Sequence, residues 1–323
     1  MYLYLLVFIA SFLLTYVVKK NAQRHSILDI PNERSSHQIP TPRGGGIAIA
    51  IVWFISISFL FYNHHICKDL YYSLLCGILI TGISMLDDIY TLKSLPRIII
   101  QVIATILALY FIGGLKKVDL GFYMIENRTI LSIIAFIGIL WFINLFNFID
   151  GIDGYLATGT IFASLSMFFI LGDPLLLIFA LIILGFLCWN WQKAKIFMGD
   201  SGSTLLGFNI AILAIYYQNN NFISVFMWII LTAIFWFDAT ITLFRRFQNK
   251  EDITTPHKKH AYQRIVQAGF SHQKTVLFSL LLNTFFLIFV FISVKNARFI
   301  LVSFFLCIIC CFFVLKLVDH AKK

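Results

Sequence analysis

Apolar residues fall in blocks of about membrane-crossing length along almost the whole chain, and polar residues are confined to the stretches between them. Eleven such blocks are predicted as transmembrane helices, at residues 2–18, 45–62, 70–86, 96–113, 129–146, 155–172, 174–191, 204–217, 222–243, 274–294 and 298–316. Inside a bilayer a helix satisfies its own backbone, so a near-continuous apolar run reads as a span. No polar stretch is long enough to fold separately, which predicts one integral all-α domain over residues 1–323, a polytopic membrane protein with 10 to 11 transmembrane helices. The first block has no basic leader or small-residue cleavage site and ends in Lys19-Lys20, which predicts an uncleaved span with its N-terminus outside.

Composition sharpens this. The chain is 60% hydrophobic and 12% charged, with a mean hydropathy of +0.87, which excludes an ordinary soluble domain. In the orientation given, all but six of the 25 lysines and arginines lie on one face, the others being Lys68, Lys116, Lys117, Arg128, Lys295 and Arg298. The positive-inside rule makes the basic face cytoplasmic. The net charge of +10 is then largely topological, attracting anionic headgroups by about 1 kcal/mol per base, and nothing in its pattern suggests nucleic acid. Five of the six cysteines sit inside apolar runs and read as small hydrophobes. No internal repeat is evident, which weakens an inverted-repeat transporter. The oligomeric state is open, a homodimer included.

Every polar cluster of unusual composition falls on the basic face. The central one is Asn144-Leu145-Phe146-Asn147-Phe148-Ile149-Asp150-Gly151-Ile152-Asp153-Gly154, with two amides and two carboxylates at every third position and no positive charge. Asp150 and Asp153 would repel unless a cation lay between them, and hard oxygen donors suit Mg²⁺ or Mn²⁺; the alternative is a solvated turn. Asp87-Asp88 end the third span at the wrong pole of a helix dipole, so a metal or a base should compensate; a salt bridge from Asp88 to Lys93 is the simpler reading. Arg97 and Gln101 share a helical face behind them. Gly199-Asp200-Ser201-Gly202 opens the eighth span, where Asp200, Ser201 or Ser203 could cap the helix and where the flanking glycines would admit a phosphate or metal. Before the second span, Thr41-Pro42-Arg43-Gly44-Gly45-Gly46 could aim bare N–H groups at an anion, or serve as a flexible connection. The longest basic loop holds Arg245, Arg246, Thr254-Thr255-Pro256, His257, Lys258, Lys259 and His260, a set able to clamp a diphosphate.

Together these motifs resemble the polyprenyl-phosphate N-acetylhexosamine-1-phosphate transferases, with Asp87-Asp88, Asn144-x-x-Asn147-x-x-Asp150-Gly-x-Asp153-Gly, Gly199-Asp200-Ser201-Gly202 and the histidine loop in that family's order. The resemblance implies a site facing the cytoplasm of a bacterial inner membrane, Mg²⁺ (or Mn²⁺), undecaprenyl phosphate as acceptor and a UDP-N-acetylated sugar as donor. It implies Asp200 as a direct metal ligand, Asp87 and Asp88 at the metal or the acceptor phosphate, and Asn147, Asp150 and Asp153 on the nucleotide side. Thr41 and Gly44 match the family's Pro-Thr-x-Gly-Gly loop, although Pro42-Arg43 separate Thr41 from the glycines. Only His257 and His260 stand where the muramoyl-pentapeptide branch has three consecutive histidines, which favours the branch initiating O-antigen and other surface polysaccharide. An intramembrane prenyltransferase would explain the aspartates but not the basic histidine loop, and a cation-coupled transporter would place its polar groups at mid-span.

Overall fold

The computed structural model describes residues 2–31, 39–252 and 257–320. Arg34, His37 and Gln38 ahead of the second span, Thr254, Thr255 and Pro256 ahead of the histidines, and Lys322 and Lys323 lie outside the described residues. Each of the eleven apolar blocks is helical. In order the elements are α1 (Tyr2–Arg24), β1 (Leu28–Asp29), β2 (Thr41–Pro42), α2 (Gly46–Tyr62), α3 (Lys68–Leu75), α4 (Gly77–Tyr90), α5 (Ser94–Ile112), β3 (Val118–Asp119), β4 (Met124–Ile125), α6 (Arg128–Ile149), α7 (Tyr155–Leu171), α8 (Pro174–Asn190), α9 (Asp200–Asn219), α10 (Val225–Leu231), α11 (Ala233–Gln248), α12 (Ala261–Gln267), α13 (His272–Lys295) and α14 (Ile300–His320). The four strands make only two short antiparallel pairs, β1 with β2 and β3 with β4. Six helical stretches among the described residues are long and apolar enough to cross a membrane, and α2, α7 and α8 are shorter apolar helices. The protein is an all-α, multi-pass membrane protein.

Helix α9 is the axis. Nearly every residue from Asp200 to Gln218 is buried, with α2, α4 and α6 packed around it. A helix that no lipid touches need not be apolar on every side, which accounts for Ser201, Ser203, Thr204, Asn209 and Gln218 in its length. The outer helices show the opposite pattern. Ile9 and Leu13 of α1, Ile99 and Ile106 of α5, Leu281 and Ile288 of α13, and Ile309 and Phe313 of α14 are exposed, as lipid-facing side chains should be.

The predicted span at 222–243 is not one straight helix: α10 and α11 meet at 76°. No glycine or proline marks the break, so the sequence pattern ran through it. A side chain takes up the freed carbonyl instead, Trp236 Nε1 donating to the Ile229 carbonyl at 2.8 Å, while the Trp228 carbonyl keeps the Thr232 N–H at 3.1 Å and also accepts from Thr232 Oγ1 at 2.7 Å.

The glycines before α2 also differ from expectation. Gly45 and Gly46 donate their N–H groups to the carbonyls of Phe197 and Met198, at 2.9 and 2.8 Å, and Phe197 N–H donates to the Pro42 carbonyl at 2.8 Å. Those amides are therefore not free to cradle an anion. The glycines permit a backbone crossing of the N-terminal ends of α2 and α9, where a methyl on Gly46 would overlap the backbone of Gly202. Gly46→Ala is expected to destabilise the fold by about 1–3 kcal/mol, read as a lower unfolding midpoint in detergent. Gly138→Ala, inside α6 where an added carbon meets nothing within 4 Å, is the control that should not lower it.

Candidate active site

The helix ends gathered by that crossing bring three carboxylates and two guanidiniums together. Asp87 and Asp88 lie on the last turn of α4, Asp200 is the first residue of α9, Arg97 is on the first turn of α5 and Arg43 is in the strand-to-helix loop before α2. Arg43 bridges Asp88, through Nε at 2.9 Å, and Asp200, through a short contact from Nη2. Arg97 bridges Asp87 at 2.6 Å and Asp200 at 3.2 Å. Asn147, on the last turn of α6, donates to the second oxygen of Asp200 at 3.0 Å and accepts from Ser203 Oγ at 3.2 Å. The Asp200 carboxylate thus faces two guanidiniums and an amide. Like-charged carboxylates can sit this close in a mostly buried place because the arginines lie between them.

Each carboxylate is held differently. Asp87 accepts from the Leu92 N–H at 2.7 Å, closing the turn after its own helix. Asp88 accepts from the N–H groups of Asp200 and Ser201, at 3.0 and 3.2 Å, so the first turn of α9 is capped by a side chain from α4. The residue before α9, Gly199, supplies no side-chain cap, and Asp200, Ser201 and Ser203 do not act as its N-cap. Lys93 is the residue preceding α5, and the base paired with Asp88 is Arg43.

The central stretch divides. Asn147 joins the cluster, whereas Asn144, one turn deeper, donates to Gln101 Oε1 at 3.0 Å. Asp150 follows the C-terminal end of α6. Burial, then the charge of Asp200, pushes its carboxyl up to about 7. Asp153 turns away: its Oδ2 accepts from the Ala194 N–H at 3.1 Å and lies 3.3 Å from His272 Nδ1 of α13. Its partners place it in the packing of the 193–195 loop rather than beside Asp200. His272 was not singled out in the sequence, where nothing connects it to a residue 119 positions earlier.

The histidine loop borders the central stretch through α12. Tyr262 is buried, donates to the Phe148 carbonyl at 3.1 Å and stacks on Tyr155. His260 is buried beside it. The α12 start is fixed by Asp238 of α11, both of whose oxygens accept from the Ala261 N–H, at 2.8 and 2.9 Å. His257 Nδ1 accepts from the Lys259 N–H at 3.2 Å, which puts the proton of a neutral imidazole on Nε2. Burial, then His260 and Arg246, pushes its pKa down to about 4, so the ring is neutral near pH 7. The bases expected to clamp a diphosphate are tied to acids here: Arg245 and Arg264 to Asp319 of α14, and Arg246 and Lys259 to Glu251. The Lys258 carbonyl accepts from Gln267. Thr41 donates to the Ile39 carbonyl at 2.9 Å, and Gly44 has φ of +101°; both shape the loop that presents Arg43. Arg97 is the residue missing from the expected set. Its signal was its place nine residues after Asp88, at the start of the next helix.

The pKa of Asp150 sets a testable pH dependence. Folding raises it from about 3.9 in an unfolded chain to about 7, so between these values the unfolded state releases a proton that the folded state keeps. Stability contributed by this group is therefore lost as pH rises through that window. Unfolding midpoints in detergent should show Asp150→Asn gaining on the parent protein from about pH 4 to about pH 7, with a constant difference above. A difference that does not change with pH would mean that Asp150 is ionised throughout.

Residues 70–218, which include Asp87, Asp88, Asn147 and Asp200, match the family model described as glycosyl transferase family 4. Over 290 residues the chain is 32% identical to a probable undecaprenyl-phosphate N-acetylglucosaminyl 1-phosphate transferase of Bacillus subtilis, covering 85% of this chain and 79% of the relative. It is 31% identical over 296 residues to an undecaprenyl-phosphate alpha-N-acetylglucosaminyl 1-phosphate transferase of Escherichia coli O157:H7, covering 85% and 78%. It is 28% identical over 313 residues to a decaprenyl-phosphate N-acetylglucosaminephosphotransferase of Mycobacterium leprae, covering 83% and 77%. With a site of clustered carboxylates and arginines at one end of a helical membrane bundle, and relatives matched over most of both lengths, the chain belongs to glycosyl transferase family 4, among the polyprenyl-phosphate N-acetylhexosamine-1-phosphate transferases.

Proposed function

We propose that this protein transfers an N-acetylated hexosamine 1-phosphate, N-acetylglucosamine 1-phosphate being the first to test, from a UDP-sugar to undecaprenyl phosphate. The reaction releases UMP and leaves a lipid diphosphate sugar that starts a surface or cell-wall glycan. The observation that carries this is the Arg43–Asp200–Arg97 arrangement: two guanidiniums held by carboxylates, at helix ends, where phosphates from a lipid and from a soluble nucleotide can meet. The basic face of the sequence makes that end cytoplasmic, in a bacterial inner membrane.

An acceptor phosphate oxygen attacks the β-phosphorus of the donor, and the bond from that phosphorus to its bridging oxygen breaks, with the electron pair leaving on UMP. Two anions must approach, so the residues' main task is charge neutralisation and alignment. Arg43 and Arg97 present N–H groups to phosphate oxygens while their carboxylate partners fix their planes. In this reading His257, neutral near pH 7, donates from Nε2 to the donor diphosphate. Asn147 and Ser203 orient Asp200. Exposed apolar helices around the bundle give the prenyl chain a lipid path to the site.

The donor chemistry fits Mg²⁺ or Mn²⁺. Among the described residues no three His, Cys, Asp or Glu side chains form a ready-made cage, and Mg²⁺ is usually held by one or two carboxylates together with substrate phosphates. Asp87 and Asp200, joined by Arg97, would hold it on the protein side. When bound, such an ion would neutralise charge on the transferring phosphoryl oxygens.

Two outcomes test the reading. Chromatography of the nucleotide product should show UMP as the primary product; UDP would mean attack at the sugar carbon and would sink the assignment. Asp200→Asn, which keeps the shape and removes the charge, is expected to lower kcat by roughly 10²-fold or more in protein that still purifies folded. Near-normal turnover would confine Asp200 to a structural place.

A further inference from the structure

Asp87 and Asp88 are adjacent in sequence and chemically identical, yet their surroundings differ. Asp87 pairs with Arg97, which also reaches Asp200, and its other oxygen closes a local turn. Both oxygens of Asp88 are taken up by groups outside α4: Oδ1 accepts from Asp200 N–H at 3.0 Å and from Arg43 Nε at 2.9 Å, and Oδ2 accepts from Ser201 N–H at 3.2 Å. Only 2% of its side chain is exposed. These are the amides that the first turn of a helix leaves without partners, and a carboxylate there also complements the positive end of the dipole.

Three further features serve the same contact. Gly199 has φ of +76°, and a carbon added to it would come within 2.7 Å of Asp88 Oδ2, so only glycine lets that carboxylate approach. One turn deeper, Ser84 of α4 and Thr204 of α9 share a hydrogen bond of 3.0 Å. Ser84 precedes Asp88 by four residues and Thr204 follows Asp200 by four, so the two contacts lie on facing stripes and fix the register of α4 against α9.

We propose that Asp88 is a positioning residue. It caps α9 from a neighbouring helix and so sets where the Asp200 carboxylate stands, while Asp87 and Asp200 are the carboxylates that touch metal and phosphate. This rests on the transferase reading for the reaction that Asp200 serves, but the cap itself does not depend on it. An amide at position 88 keeps one acceptor, loses the charge and turns N–H groups toward the Ser201 or Asp200 N–H, so the cap fails while Asp87 and Asp200 keep their carboxylates.

The test uses the full-length protein in detergent and two readouts. Hydrogen exchange followed by mass spectrometry reports protection of the amides near the start of α9. In Asp88→Asn those amides should exchange about tenfold faster than in the parent protein, a change of the size that loss of a charged cap produces, and in Asp87→Asn they should not. Mn²⁺ binding, followed by the electron spin resonance of the free ion, reports the metal site. Asp88→Asn should bind Mn²⁺ at the parent stoichiometry with weakened affinity, and Asp200→Asn should bind none. Unchanged exchange in Asp88→Asn overturns the proposal, and so does complete loss of its Mn²⁺ binding. If the parent protein binds no Mn²⁺, the metal part of the proposed function falls, and the exchange measurement still decides whether Asp88 caps α9.

Discussion

The structure depends on one constraint: Asp200, Asp87 and Asp88 occupy one small volume at the end of a membrane bundle, and the charges of Arg43 and Arg97 between them offset their repulsion. Removing one partner from such a buried set costs on the order of 3–5 kcal/mol, because the remaining charge is left unmatched. The arginines come from the loop before α2 and from the first turn of α5, and the carboxylates from two different helices. The site is therefore also a joint that ties α4, α5, α9 and the segment before α2 together. Its carboxylate oxygens suit a cation, and its two guanidiniums suit phosphate oxygens.

The fold supplies the joint through helix ends rather than through a pocket cut into one element. Helix α9 runs up the centre, screened from lipid, so its first turn can carry charge and its length can carry polar side chains. Glycines at 46 and 202 let α2 cross it at backbone contact. The histidine loop belongs to a second unit, fixed by Asp238 under Ala261 and by Tyr262 against the Phe148 carbonyl. Through that tyrosine the loop rests on the residues just before Asp150. Most of the bases around His257 are engaged with acids.

Much of this was legible in the sequence because membrane helices announce themselves by length and polarity, and because a carboxylate at the end of an apolar run is conspicuous. All eleven apolar blocks are helices, and the family resemblance is upheld by the relatives. What was hidden was directional. The break at Thr232 leaves no glycine or proline to read, since the Trp236 indole takes up the freed Ile229 carbonyl. The sequence could not distinguish Asp88, which caps a helix that begins 112 residues later, from Asp87. Nor could it show that Asp153 would turn toward Ala194 and His272 while Asn147, six residues earlier, would turn toward Asp200. The amides of Gly45 and Gly46 looked free for an anion because the strand-like ladder with Phe197 and Met198 is formed by residues some 150 positions away. Arg97 was visible as a helix-facing base, but its role as a bridge exists only once α4 and α9 meet.

The central claim is that the Asp200 joint serves exchange of one phosphoanhydride for another of similar energy, which makes the reaction reversible. The most direct measurement is incorporation of labelled UMP into UDP-N-acetylglucosamine by the purified protein. The account requires label to enter the nucleotide sugar only when the lipid diphosphate sugar, or undecaprenyl phosphate from which it forms, and a divalent cation are present, and to fail in Asp200→Asn. Incorporation without lipid, or exchange of labelled UDP in place of UMP, would contradict it.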